Sequence, residues 1–106
     1  MKNRHGVTYL KPVLFLAIVS ILIVACTTPK GNPADGQRWY MMNNCFACHG
    51  LNGDNGKAPE IRGIDISFRS FISTVRNANS PIMPKFPESK ITDQEVADIY
   101  AWLQAK

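Results

Sequence analysis

The chain has 106 residues with 12 Lys and Arg against 8 Asp and Glu, which leaves room for one hydrophobic core at most. Three of the basic residues, Lys2, Arg4 and Lys11, lie in an N-terminal segment read below as removed. Without them the balance falls to 9 against 8, so the basic character of the whole chain gives no ground for a nucleic-acid or acidic partner.

Residues 1–25 read as an export signal. Lys2, Arg4 and Lys11 precede the apolar run VLFLAIVSILIVA from Val13 to Ala25, and a basic start, about a dozen apolar residues and a small residue before the break are what such a signal needs. The run is shorter than the roughly 20 residues that span a bilayer. An uncleaved anchor helix beginning near Val7 is the alternative, and it would bury Lys11 at a cost of roughly 2.5–3.5 kcal/mol. Ile23-Val24-Ala25-Cys26 resembles the bacterial lipobox, in which the cysteine becomes the lipidated first residue. That resemblance implies a membrane-anchored lipoprotein on the periplasmic side or cell surface. It also accounts for an odd cysteine in an exported chain, since three are present.

Residues 27–34, TTPKGNPA, have two prolines, a glycine and no apolar periodicity. They read as a tether of roughly 26–29 Å at full extension. The folded domain is then 35–106. A first helix fits Asp35 to Asn44, with Asp35 as its cap and Trp39 and Tyr40 as its bulky apolar residues. From Gly50 to Gly63, four glycines with Asn52, Asn55 and Pro59 mark an irregular loop. A helix is expected from Ser67 to Arg76, where Phe68, Phe71, Ile72 and Val75 fall on one face. Pro81, Pro84 and Pro87 exclude helix between Asn77 and Lys90. Thr92 with Glu95 forms a capping box ahead of the stripe Val96, Ile99, Tyr100 and Leu103, which Trp102 flanks. No strand alternation and no repeat is visible, so the fold class is all-α, with three to four helices and long loops. Loops of that length are uncommon in a compact domain unless they wrap something.

Cys45-Phe46-Ala47-Cys48-His49 names that something. Thiols three apart on a helical turn share a face and can reach two vinyl groups on one porphyrin edge, and the adjacent imidazole is a good iron ligand. The CxxCH spacing is the attachment signature of a covalent haem c. Three other readings compete. A structural zinc needs four ligands, whereas His5 and Cys26 are both committed elsewhere. A thioredoxin-like pair would want a βαβ context. A disulfide here would close too small a loop to stabilise much.

No second histidine remains beyond the signal segment, so the sixth iron position falls to a methionine or stays open. Met83 in SPIMPKF is the favoured ligand, and thioether ligation opposite histidine raises the potential. Met41 and Met42 lie on the attachment side. Met83 as a packed loop anchor is the alternative.

The segments CxxCHG at 45–50, APEIRG at 58–63, MPKF at 83–86 and TDQEVADIYAWL at 92–103 resemble the class I monohaem cytochrome c family from about Asp35 to Gln104. The resemblance implies one haem, His49 and Met83 as axial ligands, and transfer of single electrons without bond chemistry. It further implies that the Pro59 carbonyl accepts from the His49 Nδ1–H and that Ile61 packs on the haem edge. Gly36 and Tyr100, with Tyr40 beside them, would meet where the first and last helices cross. In one respect the chain departs from the pattern: Tyr40 stands five residues before Cys45, and Met41 takes the place where the family often has an aromatic. For Arg62, pairing with a haem propionate and a solvated loop position both stay open. Trp39, Trp102, Phe68 and Phe71 read as core, with a partner surface as the alternative. Partners would be redox proteins of unidentified pathway, with the chain a monomer or a haem subunit of a larger oxidoreductase. A haem enzyme or gas sensor with an open sixth position is the reading from a different class.

Overall fold

The computed structural model describes residues 28–106; Cys26 and the leader reading lie outside them. The described residues form four helices in chain order: α1 (Pro33–Met42), α2 (Phe46–His49), α3 (Phe68–Arg76) and α4 (Asp93–Gln104). No strand occurs among the described residues, and the domain is all-α.

The first helix starts earlier than expected. Asn32, not Asp35, is its cap: the Asn32 side-chain oxygen accepts from Ala34 N at 3.0 Å, and Pro33 occupies the first turn. Proline suits that position because its missing N–H would have no helical partner there. The end of the stretch read as a tether is therefore folded. Asn32 N donates to the Asp98 carboxylate at 2.8 Å, and the Gln94 amide donates to the Lys30 carbonyl at 2.7 Å. Asp98 is buried, and it also accepts from the Gln94 amide at 3.0 Å.

Helix α1 ends in a tight reversal. Asn44 N bonds to Met41 O at 3.1 Å and Cys45 N to Tyr40 O at 3.1 Å, with Asn44 in the left-handed region at φ 57°. This paired arrangement is a Schellman stop. It delivers Cys45 directly into the next helical turn.

Helices α3 and α4 follow the sequence expectation. Ser67 caps α3 through Ser70 N at 3.2 Å. Thr92 and Glu95 close a reciprocal capping box on α4, with bonds of 2.9 and 3.2 Å. Helices α1 and α4 share the main helix–helix interface, and α3 packs more lightly on α4. Tyr40, Phe71, Phe86, Ile91, Val96, Ile99 and Leu103 form the core. Burying an aliphatic or aromatic side chain of this size is worth about 1.5–3 kcal/mol, so this small cluster alone is a thin core.

At the α1–α4 crossing Gly36 faces the Asp98 carbonyl, and a Cβ there would also lie 2.8 Å from Trp102 Cβ. The aromatic of the crossing is Trp102, its ring tilted against that of Tyr40 at a centroid distance of 4.9 Å. Tyr100, expected in that role, faces elsewhere: its ring packs 5.6 Å from Phe68 and 5.3 Å from Phe71, and its hydroxyl donates to Ile66 O at 2.6 Å. Two positions along a helix are about 200° apart, so the two aromatics serve opposite sides of α4.

Candidate haem-binding site

The attachment turn is helical from Cys45 onward. Cys45 has helical dihedrals (φ −58°, ψ −35°) and caps α2, which ends at Gly50 with φ 85°. Cys45 is half-buried and Cys48 exposed. Before any attachment, burial pushes the Cys45 thiol up to about 11, so it is uncharged at neutral pH. The three-residue spacing places the two sulfurs on one side of the turn.

The loop after α2 is held by named bonds. Gly50 O accepts from the Tyr40 hydroxyl at 2.7 Å, Cys48 O from Ala58 N at 2.9 Å, and Gly53 O from both Ile61 N and Arg62 N at 2.8 and 2.9 Å. Position 50 tolerates no side chain, since a Cβ would overlap the Asp54 carbonyl. Folded this way, the loop brings the Pro59 carbonyl oxygen to 3.0 Å from His49 Nδ1. A carbonyl can only accept, so in the neutral ring Nδ1 carries the proton and Nε2 keeps its lone pair. That is the tautomer a metal-binding imidazole needs, and its acceptor raises ligand basicity.

Part of the apolar surface of the domain is not sealed by the core. Cys45, Phe46, Ile61, Ile64, Ile66, Phe68, Ile72, Val75 and Met83 pack against the core cluster, yet all are only partly buried. Ile64 and Ile66 escaped the sequence reading. Their signal was two isoleucines in a stretch otherwise made of glycine and polar residues. Met83 is half-buried in the expected loop, with its N–H donating to Ser80 Oγ at 3.3 Å. The turn, the set tautomer and the unsealed apolar rim fit a flat, covalently attached haem. A tetrahedral zinc site finds no donors: among the described residues, no three His, Cys, Asp or Glu side chains gather where a metal ion could sit.

Arg62 is neither free nor simply solvated. Its Nε donates to Asn52 O at 2.6 Å, its Nη1 donates to Trp102 O, and its guanidinium lies 4.1 Å over the Trp102 ring. It ties the glycine loop to the C-terminal end of α4. Tyr40, beside Trp102, is fully buried, and that burial pushes its phenol up to about 12.

Among known families, the one described as cytochrome C oxidase, cbb3-type, subunit III matches residues 31–103. No curated protein and no solved structure matches the chain at a significant level.

Proposed function

The chain belongs to the cytochrome C oxidase, cbb3-type, subunit III family, a family of c-type cytochrome domains with one covalent haem c, and from that premise we propose that it is a membrane-tethered carrier of single electrons with His49 and Met83 as axial ligands. The observation that carries the axial reading is the 3.0 Å approach of His49 Nδ1 to Pro59 O, which leaves Nε2 as the only ring nitrogen able to bind iron. Cys45 and Cys48 would hold the porphyrin by thioethers. Ile61 would press its aliphatic chain on the ring edge, and Met83 would reach the iron from the opposite side. When bound, the haem supplies a one-electron Fe(II)/Fe(III) couple at a potential that thioether ligation raises.

The chain's own residues do the rest. Pro59 holds the imidazole in one tautomer, the Schellman stop and Gly50 fix the attachment turn, and the apolar rim lowers the local polarity. Cys26 would carry the lipid and 27–29 the short link to the domain, with export placing the haem on the periplasmic side or cell surface. No described helix is long and apolar enough to cross a membrane.

The ferric absorption spectrum tests the axial reading. The far-red band of methionine–iron ligation is expected in the wild type and lost in Met83→Ala. Its absence from the wild type, or its persistence in the variant, would falsify the assignment. Redox activity alone does not identify the partner. The family description favours a second reading, a haem subunit held on a larger oxidoreductase. Copurification with further subunits from detergent-solubilised membranes supports it, and recovery only as a monomer opposes it.

A further inference from the structure

The geometry points to Arg76 as the residue that keeps Met83 in place, a positioning residue for the sixth ligand acting through the backbone of Phe86. This inference rests on the reading of Met83 as that ligand.

Phe86 is gripped at both backbone polar groups by two consecutive residues at the end of α3. Its N–H donates to Val75 O at 3.0 Å, and its carbonyl accepts from Arg76 Nη1 at 2.9 Å. The other guanidinium nitrogen, Nη2, pairs with the Asp93 carboxylate in the first turn of α4. The Arg76 side chain is 18% exposed and that of Asp93 54%, so the arginine end of the pair is shielded from solvent. One side chain therefore joins three pieces: the last turn of α3, the loop that carries Met83, and the first turn of α4. Each member of the grip is itself fixed. Phe86 is buried in the core and has Lys90 Nζ 4.9 Å over its ring, and Asp93 lies inside the Thr92–Glu95 capping box.

Fixing Phe86 fixes Met83 because little between them can turn. Only Pro84 and Lys85 intervene, and the proline ring locks its own φ while restricting the residue before it, which is Met83. On the other side, Ser80 Oγ accepts from Ile82 N at 3.2 Å and from Met83 N at 3.3 Å. The Ser80 turn and the Arg76 grip are thus the two fixed points of an otherwise exposed arc. Of the two, the Arg76 contacts are charge-assisted and the stronger. For a thioether bound to iron, this grip sets how often the loop opens far enough for the sulfur to leave.

Imidazole binding to the ferric holoprotein measures that opening, since an external ligand reaches the iron only when the methionine is off. Arg76→Gln should accelerate imidazole binding by about ten- to a hundredfold, the factor that losing a hydrogen bond to a charged group corresponds to. Arg76→Lys, which keeps the charge but not the fork, should fall between the two. Asp93→Asn leaves the Phe86 contact intact and should give a smaller acceleration; it decides the matter if Arg76→Gln fails to mature. Asn32→Ala removes the α1 cap, whose side-chain bonds go to Ala34 and Asp35 and not to the loop. It should lower the denaturation midpoint without changing the imidazole rate, which separates positioning from general destabilisation. In a Met83→Ala background the Arg76 change should have no further effect.

Two failures are distinguishable. Should Met83→Ala bind imidazole no faster than wild type, the axial reading falls and takes this inference with it. Should Met83→Ala bind faster while Arg76→Gln matches wild type, or while Asn32→Ala accelerates binding as much as Arg76→Gln, the axial reading stands and the role of Arg76 is overturned.

Discussion

Gly36 lies against the carbonyl of Asp98: a Cβ built at position 36 would fall 2.0 Å from that oxygen. The obstacle is main chain in the middle of α4, which cannot rotate aside as a side chain can. Gly36→Ala should therefore force α1 away from α4 and destabilise the domain by about 1–3 kcal/mol. Urea unfolding of the holoprotein measures this. A midpoint equal to wild type would mean that the two helices separate without penalty, contrary to the packing described here.

Tyr40 makes a prediction about pH. Burial holds its phenol up at about 12, against an ordinary value of 10.0. The unfolded chain releases this proton first, so between those two values the folded state binds more protons than the unfolded one and stability falls as pH rises. Below the unfolded value both states keep the proton, and the contribution is fully present. Tyr40→Phe should remove this part of the alkaline slope. It should also lose about 0.5–1.5 kcal/mol at neutral pH with the bond to Gly50 O. Denaturation midpoints of both proteins across the alkaline range check the two effects together. Equal slopes would show that the phenol does not couple to folding.

Arg62 and Arg76 differ in what they grip, and salt distinguishes them. The Arg62 hydrogen bonds go to the carbonyls of Asn52 and Trp102, whereas Arg76 also pairs with a half-exposed carboxylate. Arg62→Met should cost about 1.5–3 kcal/mol, and the loss should be nearly the same at low and high ionic strength. The cost of Asp93→Asn should shrink as salt screens the pair. Thermal melts at two salt concentrations are sufficient. A loss at Arg62 that disappears in high salt would show that it acts as a free charge and not through these carbonyls.

How much of this was legible in the sequence depends on the range of the interaction. Ser67 and α3, and Thr92 with Glu95 and α4, were readable because cap, stripe and stop lie within a dozen residues. The attachment turn was readable because its chemistry fixes the spacing. The start of α1 was misread because Asn32 and Pro33 are turn formers as well as helix starters. What decides between those roles is Asp98, 66 residues away. The exchange of Tyr100 for Trp102 at the helix crossing has a similar origin. A stripe drawn on α4 shows which residues share a face, but not which face meets α1. Arg62 gave no local signal, because its second acceptor lies 40 residues along the chain.

The grip of α4 on Lys30, Gly31 and Asn32 bears on how the protein meets its redox partners. Gly31 lies against the Ala97 carbonyl, and Gln94 and Asp98 hold the residues on either side of it. If Cys26 carries the lipid, as proposed above, only four peptide steps separate it from the first clamped residue, roughly 13–14 Å at full extension. A leash that short would confine the domain to a thin layer above the bilayer. Encounter with a membrane-bound partner would then be a search in two dimensions, at a high effective concentration. Lengthening this leash, with the haem site untouched, would change how often the protein is met and leave its potential unaltered.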